Sequence, residues 1–77
     1  MPHIIVKIYP DRSEDQKKLL ADKIPASVVE VVECSFEAVS VAIEDVKPED
    51  WYENVYKPDI IGKKEDLIRE PGYEMSE

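Results

Sequence analysis

With 77 residues the chain holds one domain at most, and 18 acidic against 10 basic residues leave a net charge of −8 that repels nucleic acid and anionic lipid. Cys34 is the single cysteine, so no internal disulfide forms; no Cys/His cluster has metal-site spacing, and no apolar run approaches the ~18 residues of a membrane span. The lone thiol and the absence of a secretory apolar region give a cytoplasmic location as the expectation, with no membrane, metal or cofactor partner.

The chain opens Met1-Pro2 ahead of a period-2 strand, with Ile4, Val6 and Ile8 on one side and His3, Ile5, Lys7 and Tyr9 on the other. Pro2 reads in two ways. As an ordinary residue it starts an edge strand, where its missing N–H is not needed. With Met1 removed, its nitrogen becomes a secondary amine, the one backbone group that titrates near neutral pH, and apolar walls favour its uncharged, basic form.

Pro10-Asp11-Arg12 forms a turn, and Ser13-Glu14-Asp15-Gln16 matches a capping box, in which a hydroxyl and a glutamine reciprocally satisfy orphan N–H groups. Leu20, Ile24, Val28 and Val31 then recur at helical spacing, predicting a helix to about residue 34. Pro25 removes a hydrogen bond, at a cost on the order of 3 kcal/mol, and the β-branched run 28–32 favours a strand. The stripe stays in phase across the proline, so the expectation is one kinked helix.

Residues 38–46 read as a second strand with Val39, Val41 and Ile43 facing the core. A helix between two strands makes them parallel neighbours, or flanks of another strand, with a right-handed crossover. Pro48-Glu49-Asp50 starts a short helix carrying Trp51 and Val55. Pro58 restarts the chain, and Ile60, Ile61, Leu67 and Ile68 predict a second short helix that Pro71-Gly72 ends. The expected fold is α+β: a β-α-β unit with small C-terminal helices, residues 1–77 forming a single domain. Two strands under one helix leave sheet edges and one face open, so an obligate homo-oligomer is expected.

These residues resemble the tautomerase superfamily typified by 4-oxalocrotonate tautomerase, without gaps over roughly the first 50 positions. Pro2 stands at the place of the family's amino-terminal proline, Arg12-Ser13-Glu14-Asp15-Gln16-Lys17 is similar to the run that opens the family's helix, and 38–43 matches its second strand. Met1-Pro2-His3-Ile4, Pro48-Glu49-Asp50-Trp51 and Pro71-Gly72-Tyr73-Glu74-Met75 resemble the phenylpyruvate-type branch. The resemblance implies a cofactor-free isomerase that interconverts keto and enol forms of a 2-keto acid, with Pro2 as proton carrier. It implies Arg12 on the substrate carboxylate and Trp51 as a pocket wall. Ser40 departs from the pattern, standing where 4-oxalocrotonate enzymes place a second arginine. A short neutral side chain does not serve a second carboxylate, so the implied substrate is a phenylpyruvate-like monocarboxylate. The implied assembly is a homodimer, two protomers forming a four-stranded sheet covered by two long helices; the trimer of dimers of the family's short members is the alternative.

Each residue also has a plainer reading. Trp51 packs in a core, Arg12 is a solvated turn residue, and Ser40 is a small residue on the outward strand face or a hydrogen-bond donor to substrate. His3 reads as structural or surface, Cys34 as packing, and Phe36, Tyr52, Tyr56 and Tyr73 as interface or pocket-wall aromatics. Two other functions stay open. The same proline serves hydration, dehalogenation or decarboxylation of small acids, although no extra acid for water activation is evident. With Met1 retained, the nitrogen is a tertiary amide and the chain is a non-catalytic oligomeric module.

Overall fold

The computed structural model describes residues 1–76 and divides into two units, the first Met1–Asp45 and the second beginning at Val46. In the first, β1 (His3–Ile8) is followed by α1 (Glu14–Val32), a single tight turn at Phe36–Ala38 and β2 (Ser40–Asp45). The strands are parallel neighbours, in register from His3 opposite Ser40 to Ile8 opposite Asp45. Alternation puts Ile4, Val6 and Ile8 with Val41, Ile43 and Asp45 on the face that α1 covers, where Lys17 of the helix meets Asp45. His3, Ile5 and Lys7 share the opposite face with Ser40, Ala42 and Glu44, and there Ile5 remains half-exposed.

The capping box forms as predicted: the Gln16 N–H donates to Ser13 Oγ at 3.1 Å and the Ser13 N–H to Gln16 Oε1 at 2.9 Å. Glu14 and Asp15 complement the positive end of the helix dipole. The buried stripe differs from the predicted one. Lys17, Ala21, Ile24, Pro25, Val28 and Val29 are the sheltered positions, whereas Leu20 and Val31 are exposed. The stripe is rotated because Lys17 belongs to it, its stem covered by the sheet while its amine finds Asp45. Pro25 lies within α1 and is buried, its ring packing on the side where the helix is dry. The helix ends at Val32 on Glu33, whose φ of 60° and ψ of 52° lie in the left-handed region and whose N–H reaches the Val29 carbonyl at 3.0 Å.

In the second unit α2 (Pro48–Trp51) begins with proline at its first turn and runs on, unbroken, into a wide helical segment, Tyr52–Ile61. There N–H groups reach five residues back, as where the Gly62 N–H meets the Lys57 carbonyl at 2.9 Å. Pro58 therefore does not restart the chain. A proline ring clashes with the carbonyl four residues earlier in an α-helix, and the wider turn moves that carbonyl aside. Val55 and Tyr56 are buried. Ile60 and Ile61 complete this segment instead of opening another helix. One tight turn follows at Lys64–Asp66; Leu67 and Ile68 lie outside any helix, and Ile68 is fully exposed.

Candidate functional site

The ladder extends one step beyond β1. The Ser40 N–H donates to the Pro2 carbonyl at 3.1 Å, so Pro2 is held by the sheet even though its own nitrogen donates nothing. One position on, His3 Nδ1 and Ser40 Oγ lie 2.7 Å apart. The parallel register that makes them opposite neighbours creates this pair. Both are exposed, so the reading of His3 as a surface residue stands, with Ser40 as a partner that sequence reasoning missed.

Arg12 lies at the other end of the strand. It lines an apolar groove of about 330 Å³ with Ile8, Leu19 and Leu20, rimmed by Gln16, Lys17 and Lys23. Its guanidinium is largely exposed and 3.6 Å from Asp11, an exposed pairing that contributes little. Lys17 is committed inward: its Nζ is 2.7 Å from Asp45 and 3.6 Å from Glu14. The hydrogen bond to Asp45, joined by the charge of both carboxylates against a smaller opposing effect of burial, raises the Lys17 pKa above 10.5. Arg12, at the turn between β1 and α1, is thus an outward-facing cation of the groove, with the exposed Lys23 farther along α1.

From Pro2 to Ile8 is six residues of extended chain, about 20 Å at ~3.3 Å per residue, and Arg12 shares its groove with Ile8. Pro2, His3 and Ser40 therefore gather at one end of the sheet while Arg12, Lys17 and Asp45 gather at the other. A single copy does not bring Pro2 and Arg12 onto one small molecule.

Trp51 belongs to the second unit. Its indole N–H donates to Tyr73 Oη at 3.0 Å, and the Tyr73 ring lies 5.7 Å from that of Tyr56, tilted by 39°. Tyr56 in turn stacks on Tyr52 at 5.9 Å and 22°. Tyr56 and Tyr73 also line a groove of about 270 Å³ with Ile60, Leu67, Pro71 and Lys64. Cys34 is a half-buried free thiol. Among the described residues no group of His, Cys, Asp and Glu is placed to hold a metal ion, and no helix is long and apolar enough to cross a membrane.

The family model described as "Tautomerase enzyme" matches residues 2–55. A "Probable tautomerase" of Xylella fastidiosa (strain 9a5c) is 49% identical over 73 residues, covering 95% of this chain and 89% of the relative. "Tautomerase PptA" of Cronobacter sakazakii (strain ATCC BAA-894) is 41% identical over 76 residues, 97% of this chain and 100% of the relative. Among solved structures, TomN, a 4-oxalocrotonate tautomerase homologue in the tomaymycin biosynthetic pathway, aligns with a TM-score of 0.63 at 32% identity, over 65% of this chain and 77% of that one. YwhB, another homologue of 4-oxalocrotonate tautomerase, aligns with a TM-score of 0.58 at 33% identity, over 60% of this chain and 75% of that one. The curated relatives thus extend over nearly the whole chain, whereas these solved structures cover about two thirds of it or less.

Proposed function

We propose, for a chain that belongs to the tautomerase family and is therefore an isomerase, that its reaction is the keto–enol interconversion of a 2-keto monocarboxylate with an apolar or aromatic remainder. Pro2, freed by removal of Met1, is the proton carrier. Its uncharged amine takes the proton of the enol hydroxyl; the C2–C3 double-bond pair then recovers that proton at C3, leaving a carbonyl at C2. An apolar pocket wall favours the uncharged form of such an amine, and the Ser40 N–H on the Pro2 carbonyl holds that residue in place. No cofactor is needed for this proton transfer.

Arg12 grips the carboxylate through two parallel hydrogen bonds and draws charge toward that end as the enolate-like state forms. The ~20 Å from Pro2 to Ile8, where the Arg12 groove begins, is the observation that carries the assembly: Pro2 of one copy works with Arg12 of another. A two-fold, antiparallel join of two sheets brings the start of one β1 toward the end of its mate, gives a four-stranded sheet under two long helices, and covers edges that two strands alone leave open. This homodimer also accounts for the exposed Ile5, Leu19, Val31, Val32 and Phe36. Trp51 walls the pocket against water. Ser40, its hydroxyl already engaged with His3, leaves no cation for a second carboxylate, which restricts the substrate class.

Proton NMR of an arylpyruvate enol tests the reading. Processed protein accelerates ketonisation, protein retaining Met1 does not, and Arg12→Ala raises KM by about 10–150-fold, the equivalent of ~1.5–3 kcal/mol for a charged hydrogen bond. Equal rates with and without Met1 contradict the role of Pro2.

A further inference from the structure

We infer that Tyr73 is a positioning residue for the substrate pocket, acting through Trp51. The inference rests on the reading of Trp51 as a pocket wall and adds the residue that sets where this wall stands. Two contacts made by one side chain carry it. Tyr73 Oη accepts the Trp51 indole N–H at 3.0 Å, and the Tyr73 ring leans on the ring of Tyr56 at 5.7 Å. Tyr56 is buried, stacked on Tyr52, and belongs to the same wide helical segment that follows Trp51. Residues 67–76, after the last tight turn, form no helix or strand, so Tyr73 is held by these side-chain contacts in place of a backbone ladder. The phenol ties a fixed ring at one end to the edge of an indole at the other.

An indole is a large plate with a single donor. Fixing that donor selects one orientation of the plate. For a substrate with a flat apolar remainder, the orientation determines how well the ring is accepted, and it leaves proton transfer at Pro2 untouched. Tyr73 therefore governs binding of aryl substrates in preference to turnover. The hydroxyl carries the effect, since the ring contact with Tyr56 survives its removal.

Trp51 is the only tryptophan in the chain, so its fluorescence reports on this indole alone. The experiment compares parent, Tyr73→Phe, Trp51→Phe and the double variant by emission anisotropy and unfolding midpoint, and by ketonisation kinetics with an arylpyruvate enol and with pyruvate enol, which has no ring. Tyr73→Phe keeps the unfolding midpoint, lowers the anisotropy of Trp51, and raises KM for the aryl substrate by about 2–10-fold, the range of one neutral hydrogen bond. Its kcat stays within twofold, and its KM for pyruvate enol is unchanged. Trp51→Phe raises the aryl KM on its own, and the double variant equals Trp51→Phe because both act through one contact. If Trp51→Phe raises KM while Tyr73→Phe changes neither KM nor anisotropy, or if the two effects add, the inference is overturned while the pocket-wall reading survives. If Trp51→Phe leaves the aryl KM unchanged, the pocket-wall reading falls and takes the inference with it.

Discussion

Replacing Ser13 by alanine removes the hinge between the turn that carries Arg12 and the helix behind it. Two hydrogen bonds are lost with the hydroxyl: the Gln16 N–H loses its acceptor at 3.1 Å and Gln16 Oε1 loses the Ser13 Oγ–H at 3.3 Å, which leaves the Ser13 N–H alone on Gln16 Oε1 at 2.9 Å. An N-cap change of this kind costs about 1 kcal/mol. Both residues are exposed, so water partly replaces what is lost and the cost stays near that value. For a chain of this size it lowers Tm by about 4–8 °C, read at one fixed protein concentration because assembly contributes to stability. Arg12 directly precedes the cap, so a frayed first turn also loosens the guanidinium: KM for the 2-keto acid rises while kcat holds. Ser13→Asp keeps an acceptor and adds a charge that suits the helix dipole, so it recovers most of both losses. Differential scanning calorimetry with steady-state kinetics decides the matter. A Ser13→Ala protein that melts within roughly a degree of the parent, against the several degrees of a lost cap, refutes the reasoning.

Gly62→Ala destabilises the second unit, against the usual benefit of alanine in helices. A Cβ there meets the Pro58 carbonyl oxygen at 2.6 Å and that of Lys57 at 3.2 Å, an overpacking of backbone costing about 1–3 kcal/mol and visible in the urea midpoint. Glu33→Gly raises Tm, because glycine accepts the left-handed φ of 60° at less strain than glutamate; the gain is below the ~1–2 kcal/mol strain, since glycine also loosens the unfolded chain. Lys17, whose pKa is raised in the folded state, contributes stability that is fully present below pH 10.5 and is lost as pH rises through its higher folded value. Lys17→Met therefore flattens the alkaline limb of a Tm-against-pH series.

Much of the first unit was legible because its signals are local. The alternation of Ile4, Val6 and Ile8, the Ser13–Gln16 box and the Val39–Ile43 run each depend on neighbours within a few residues, and each formed. The helix stripe differs at Leu20 and Val31 because Lys17 shares the sheltered face, and only the fold reveals that its amine meets Asp45, 28 residues on. Pro58 does not break the helix, because its clash with an α-helical turn has a second remedy, a wider turn. Leu67 and Ile68 stand seven residues after Ile60 and Ile61, the spacing of one helical face, but Gly62-Lys63-Lys64-Glu65-Asp66 between them holds no apolar residue to continue that face, and only the tight turn at Lys64–Asp66 forms. For the candidate site, the choice of Pro2, Arg12 and Trp51 rests on resemblance to a family. The bonds from Ser40 to Pro2 and His3, and from Trp51 to Tyr73, join residues more than twenty positions apart and left no local trace. The separation of Pro2 from Arg12 was available from strand rise alone, since six residues of β1 already span about 20 Å.

A site assembled from two copies is tested most directly by subunit mixing. Pro2→Ala and Arg12→Ala chains, each assayed alone for its residual rate, are unfolded and refolded together in equal amounts. Random pairing makes half of the dimers mixed, and each mixed dimer holds one site with an intact Pro2 facing an intact Arg12. The account predicts recovery of about a quarter of the parental rate. Activity no higher than the mean of the two variants contradicts it.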